Sequence, residues 1–202
     1  MDELDDDVDG GLRDDVDGSA RDDAGDSPRD DAGGEPGGID HRLLSALHEC
    51  GADSRVAAVA RALSWSGEHG ALWLAVGVAG AAVDGERRGA WLRATALTAT
   101  AHAVSMGVKR IVRRPRPAHV VPLVRTAGRH SFPSSHATSA AAATVAYGAL
   151  GVLGGRAIPP VAAAMCVSRM VVGVHYPSDV AAGAALGAVT ARLGARWIGG
   201  RS

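Results

Sequence analysis

Apolar residues in this chain fall into blocks separated by short polar, proline or glycine breaks, after a long opening stretch that has almost none. From Asp40 onward, Leu43, Leu44 and Leu47 recur at helical spacing. Gly51-Ala-Asp53-Ser54 interrupts that helix, and a second piece runs to about Trp65. This predicts an N-terminal amphipathic region, lying at a membrane interface or forming a short first span. Gly67-Glu68-His69-Gly70 then precedes the apolar run Ala71 to Val83. That run must borrow residues from both flanks to reach the roughly 20 that a bilayer crossing needs. A polar hairpin loop, Asp84 to Gly89, leads to a second apolar run from Trp91 to Val108. Lys109 to His130 reads as a basic loop, kept out of regular helix by Pro115 and Pro117. Three more spans follow: Ala-rich His136 to Leu153, Ala157 to Val172, and Pro177 to Ile198. Gly183-x3-Gly187 in the last allows close helix packing where lipid supplies no hydrophobic drive between helices. The expected fold is an all-α integral membrane helical bundle of about five to six transmembrane helices with an N-terminal amphipathic helix.

This layout sorts the chemistry-bearing residues. Lys109 ends one span, His136 begins the next, Ser168-Arg169 ends the following one, and Asp179 begins the last. Alternating direction places all four on one membrane face. Glu68 and His69, at the head of a neighbouring span, belong to that same face.

Charge divides the chain. Residues 1–38 carry 15 acidic and 3 basic side chains, and residues 39–202 carry 7 acidic and 18 basic. Such low hydrophobicity and high charge predict a disordered acidic tail over 1–38, followed by one basic domain over 39–202. Arg-Asp-Asp recurs there at a spacing of eight, beginning at Arg13, Arg21 and Arg29. A solvated tail explains it better than a divalent-cation site. The basic domain faces anions. Nucleic acid is disfavoured, because aromatic residues for base stacking are scarce and the cations are interleaved with Ala/Gly/Val/Leu runs. A bilayer and a phosphate-bearing lipid headgroup suit that pattern. Cys50 and Cys166 read as inert packing residues rather than as a disulfide or metal site. The acidic start lacks the apolar segment of a signal peptide, so insertion is expected to depend on the internal helices.

Three stretches carry candidate chemistry. In Ser168-Arg169-Met-Val-Val-Gly-Val-His175-Tyr-Pro-Ser-Asp179, Pro177 suits the first turn of a helix, which puts Asp179 about one turn beyond His175. A carboxylate there can hold one imidazole tautomer and leave the other nitrogen free to attack. The plainer reading is a turn whose Asp caps the next helix. Phe132-Pro133-Ser134-Ser135-His136 places a histidine at a helix start, where hydroxyls and backbone amides can bind an anion. Lys109-Arg-Ile-Val-Arg-Arg-Pro-Arg116-Pro117 offers fixed cations, and taken alone would read as a polybasic membrane-surface patch. Arg110, Arg113, Arg114, Arg125 and Arg129 fit that surface role. His102, inside a span, reads as a satisfied buried histidine, and His119 and His130 as loop residues.

Taken in order, the stretches read K-x6-R-P, P-S-S-H and S-R-x5-H-x3-D, spanning roughly 70 of 202 residues. This resembles the signature of the type 2 phosphatidic acid phosphatase (PAP2) superfamily, which includes lipid phosphate phosphatases and vanadium haloperoxidases. One departure is Ser135, where that family usually has glycine. Serine keeps the backbone amide, so the expected effect is a stiffer turn.

The resemblance implies a phosphoric monoester hydrolase. His175 would be the nucleophile that forms a phosphohistidine. Asp179 would orient it, and His136 would protonate the leaving alkoxide and then activate water. Lys109, Arg116 and Arg169 would clamp the phosphate, joined by Ser134, the Ser135 amide and the helix start. No cofactor and no metal is implied, since cationic side chains do the neutralising. The short build, with Gly-Glu-His-Gly before a span, resembles the decaprenylphosphoryl-phosphoribose phosphatase branch, whose substrate belongs to cell-wall arabinan precursor synthesis. Glu68 and His69 would then suit the sugar hydroxyls, against a plainer reading as a polar turn. Alternative substrates are phosphatidic acid, phosphatidylglycerophosphate and isoprenyl pyrophosphate. A non-catalytic binder of lipid phosphates is the alternative outside enzymology. The expected location is the plasma (inner) membrane, as a multi-pass protein.

Overall fold

The computed structural model describes residues 38–126, 128–151 and 156–198, so the acidic tail lies, but for Gly38, outside the described residues. Seven helices run through them: α1 (Ile39–Glu49), α2 (Ser54–Ser66), α3 (Ala71–Val83), α4 (Arg88–Val112), α5 (Ser135–Gly148), α6 (Ile158–Val171) and α7 (Pro177–Ile198). The all-α class stands, and the boundaries follow local chemistry. Asp53 opens α2 by accepting the amides of Arg55 and Val56 at 2.8 and 3.1 Å. Ser134 opens α5 in the same way, accepting the Ala137 amide at 3.5 Å. Gly173, at φ +74°, closes α6. Its amide reaches the Met170 carbonyl at 2.9 Å and the Val174 amide reaches the Arg169 carbonyl at 3.2 Å, the paired bonds of a Schellman motif.

The apolar blocks of the sequence became α3 to α7, with one shift that matters. The second block continues past Val108 to Val112, so Lys109 sits inside the last turn of α4 instead of in the loop. None of the described helices is long and apolar enough to cross a membrane. The reasons differ between helices. At 13, 14 and 14 residues, α3, α5 and α6 are short, reaching about 20 Å against a hydrocarbon core of about 30 Å. The long helices, α4 with 25 residues and α7 with 22, carry basic side chains at their ends.

Helix α5 touches α3, α4, α6 and α7, and buries Ala137, Ala140, Ala142, Ala143, Ala146 and Tyr147. Its contact with α7 is the most extensive among the described helices, and glycine makes it so. A Cβ on Gly183 would fall 2.4 Å from the Ser134 carbonyl oxygen, and one on Gly187 would fall 2.0 Å from that of Thr138. The two backbones therefore touch directly. This seats the start of α7 beside the start of α5, and the Ser134 amide donates to the Asp179 carbonyl at 3.0 Å.

Polarity is distributed unusually. Thr98, Ser105, Lys109, Ser134, Thr138, Ser139, Ser168, Arg169, His175 and Asp179 are buried. Val78, Leu92, Val104, Val161, Val167, Val189 and Leu193 are exposed on the outer helix faces. Cys50, expected in packing, is also exposed, because it lies in the short turn after α1.

Candidate active site

Each of the three motifs ends or begins a helix, and those helix ends converge. Lys109 is in the last turn of α4, Ser135 and His136 in the first of α5, Arg169 in the last of α6, and Asp179 in the first of α7. Arg116 and His175 occupy the intervening loops. A cavity of about 110 Å³ opens where they meet. Lys109, Arg116, Ser135, His136, Arg169 and His175 line it, with Glu68 and His69 at the exposed rim.

Arg116 and Arg169 are held in place by neutral partners. Arg116 donates through Nε to the Gly128 carbonyl at 2.9 Å and through Nη1 to that of Val174 at 2.8 Å. Arg169 donates to the Ser64 hydroxyl, and its Nε is buried without a hydrogen-bond partner among the described residues. Arg116 and Arg169, fixed by carbonyls and a hydroxyl rather than by carboxylates, stand with Lys109 around one small cavity and form a preorganised anion site. Burial lowers the Arg116 pKa, but a guanidinium keeps its charge across the physiological range.

His136 Nε2 lies 3.0 Å from the Ser64 carbonyl. A carbonyl only accepts, so this contact assigns the proton to Nε2 and leaves Nδ1 to exchange a proton with whatever the cavity holds. The fit is tight: a Cβ on Gly67 would fall 2.7 Å from His136 Cδ2. His175 is almost fully buried, with Nδ1 at 3.5 Å from Asp179 Oδ2. That is ion-pair range but too long for a good hydrogen bond, and Nδ1 has no hydrogen-bond partner among the described residues. Burial holds the His175 pKa well below the usual imidazole value, and the cations Arg169, Arg116 and Lys109 push the same way. The ring is therefore neutral, which is the form that can attack.

Residues 90–202 match the PAP2 superfamily. The chain belongs to that superfamily. The chain is 45% identical over 148 residues to the decaprenylphosphoryl-5-phosphoribose phosphatase of Mycobacterium tuberculosis (strain H37Rv), covering 71% of this chain and 81% of that protein. It is 41% identical over 152 residues to the protein of the same name from Mycolicibacterium smegmatis, covering 73% and 82%. Two crystal structures share the fold. Aquifex aeolicus LpxE superposes with a TM-score of 0.61 at 20% identity, covering 80% of this chain and 98% of that one. The transmembrane PAP2 type phosphatidylglycerolphosphate phosphatase of Bacillus subtilis superposes with a TM-score of 0.51 at 24% identity, covering 79% and 91%.

Several residues in and around the cavity sit differently from the sequence expectation. Ser134 does not line the cavity, since its buried hydroxyl caps α5. Arg114 is no surface cation: it is buried, and Nη1 reaches Asp179 Oδ1 at 2.8 Å. Arg125 lines the cavity. His102 does too, on the same face of α4 as Lys109, and its buried Nδ1 lacks a hydrogen-bond partner among the described residues, so it is not the satisfied core histidine expected. His119 and His130 stay outside, with His119 stacked on His41 at 4.3 Å between ring centroids. Ser64, which bridges Arg169 and His136, belongs to none of the motifs. The sequence marks it only as a serine between Leu63 and Trp65.

Proposed function

We propose that this PAP2 protein is a membrane phosphatase that removes the 5-phosphate from a polyprenyl-phosphate-linked ribose, through a phosphohistidine on His175. The observation that carries the reading is one cavity holding Lys109, Arg116 and Arg169 together with His136 and a neutral His175. The substrate is supported by the 45% identity to a decaprenylphosphoryl-5-phosphoribose phosphatase.

In the first step the phosphate monoester is held by the three cations and by the amide end of α5 at Ser135. An imidazole nitrogen of His175 attacks phosphorus, and the bond from phosphorus to the ribose 5-oxygen breaks. His136 gives its Nδ1 proton to that leaving oxygen. The bound dianion favours the imidazolium form of His136 that this requires. In the second step His136 takes a proton from water, the oxygen attacks phosphorus, and the phosphorus–nitrogen bond breaks to release phosphate. Asp179 steadies the positive charge on His175 between the steps.

Glu68, His69 and His102 supply further polar groups to the same cavity, suited to sugar hydroxyls. His69 adopts a left-handed backbone at φ 55° beside Gly70 at φ 74°, a conformation that a side chain other than glycine takes only where its surroundings require it. A multi-pass position in the inner membrane is supported by the exposed valines and leucines outside and the buried polar groups within. The acidic residues 1–38 are read as a tail on a single catalytic domain.

An activity panel tests the substrate. Wild-type protein should release phosphate from the polyprenyl-linked phosphoribose faster than from phosphatidic acid, phosphatidylglycerophosphate or an isoprenyl pyrophosphate. Glu68→Ala should slow the first more than the others. Equal losses on all substrates would reduce Glu68 to a structural turn, and no release from any would leave a non-catalytic binder.

A further inference from the structure

The superfamily match begins at residue 90, yet the turn that carries His175 is strapped from outside it, by α1. At one end of α1, Asp40 Oδ1 accepts the Ser178 amide at 3.0 Å, and Oδ2 accepts the Ser178 hydroxyl. Ser178 is the second residue of α7, so Asp40 caps that helix from a distant part of the chain. At the other end, His48 Nδ1 donates to the Val171 carbonyl at 2.9 Å, at the close of α6. Eight residues of helix, about 12 Å, separate the two anchors. Between them lies the turn that presents His175.

Arg114 ties this strap to the site. Its Nη2 bonds Asp40 Oδ2 at 3.1 Å, while Nη1 bonds both the Ser178 hydroxyl at 2.7 Å and Asp179 Oδ1 at 2.8 Å. The guanidinium also lies over the Tyr176 ring at 4.3 Å. One planar cation thus joins the carboxylate of α1 to the carboxylate beside His175. A fork of this kind transmits orientation, because its donors lie in one rigid plane. Asp40 offsets the Arg114 charge, so Asp179 does not have to serve as that cation's whole partner.

We propose that Asp40 is a positioning residue for the PAP2 site: through Arg114 and Ser178 it sets the orientation of Asp179, and through Asp179 that of His175. The inference rests on the reading of His175 as nucleophile. It makes α1 part of the catalytic apparatus although it touches no substrate.

The plain alternative is that Asp40 only caps α7 and adds stability. A double-mutant cycle separates the two, with phosphate release measured on the full-length protein. Asp40→Asn should lower kcat about tenfold with KM within about threefold, since a misoriented nucleophile costs turnover more than binding. In the Asp179→Asn background the same substitution should cost less than about twofold, because its target is already gone. Should Asp40→Asn fail to fold, Ser178→Ala removes the shared hydroxyl more gently and should show the same loss of effect. Equal losses in both backgrounds, or wild-type kcat in the single variants, would overturn the proposal. If the wild-type protein released no phosphate from any lipid substrate, the phosphatase reading would fall and take this one with it.

Discussion

Asp179 Oδ2 lies 3.5 Å from His175 Nδ1 and, at 2.9 Å, accepts the backbone amide of Tyr176. The same carboxylate therefore caps α7, reaching back from the third helical position to the N-cap amide, and faces the imidazole. The two readings that the sequence left in competition, cap and histidine partner, describe one side chain. Asp179→Asn keeps the shape but loses the charge that steadies a phosphorylated imidazole. Turnover should fall on the order of a thousandfold. Melting temperature should drop only modestly. Near-normal turnover would leave Asp179 as a cap alone.

Packing between α5 and α7 sets where the site residues stand. Gly187→Ala would drive a methyl group to 2.0 Å from the Thr138 carbonyl oxygen. Forcing two backbones apart should cost about 1–3 kcal/mol or more, seen as a lower melting temperature. Gly107→Ala, in α4, meets nothing within 4 Å and should be neutral or slightly stabilising. Equal melting temperatures for the two variants would contradict the close approach.

His175 should make the fold acid-sensitive. Its folded pKa lies well below the 6.5 of a free imidazole. As pH falls through that value the unfolded chain takes up a proton that the folded ring refuses. Stability is then lost at up to about 1.4 kcal/mol per pH unit until the folded pKa is reached. His175→Gln removes this term. Its melting temperature should fall less than that of the wild type between about pH 7 and about pH 5. Parallel curves would show that His175 titrates normally in the fold.

Three fixed cations can neutralise a phosphoryl group without an ion. Activity should persist in excess chelator, and vanadate should inhibit by adopting the trigonal geometry of the group in transfer. Activity that disappears in chelator and returns with magnesium would contradict the clamp formed by Lys109, Arg116 and Arg169.

The sequence exposed those parts of the candidate site whose chemistry is local. Lys109, Arg116, His136, Arg169, His175 and Asp179 stand at fixed spacings beside helix ends, so motif and hydropathy pointed to the same place. What stayed hidden depends on distant packing. Spacing from Lys109 singled out Arg116, but only the fold shows that Arg114, two residues earlier, meets two carboxylates. Ser64 contacts His136 across 72 positions of sequence, and Asp40 contacts Ser178 across 138. Neither pairing leaves a periodic or compositional trace. His102 was misjudged because an apolar flank says nothing about which helix face meets a cavity. Span lengths were overestimated where apolar composition continued past a helix end, as it does after Gly148.

The central claim is that phosphate passes through His175. A rapidly quenched reaction with substrate labelled on the 5-phosphate should yield an alkali-stable, acid-labile label on the peptide that contains His175. The label should be absent from His175→Ala, which should be folded and inactive. Label on His136 or on any other residue would contradict the account, as would a His175→Ala protein that still turns over.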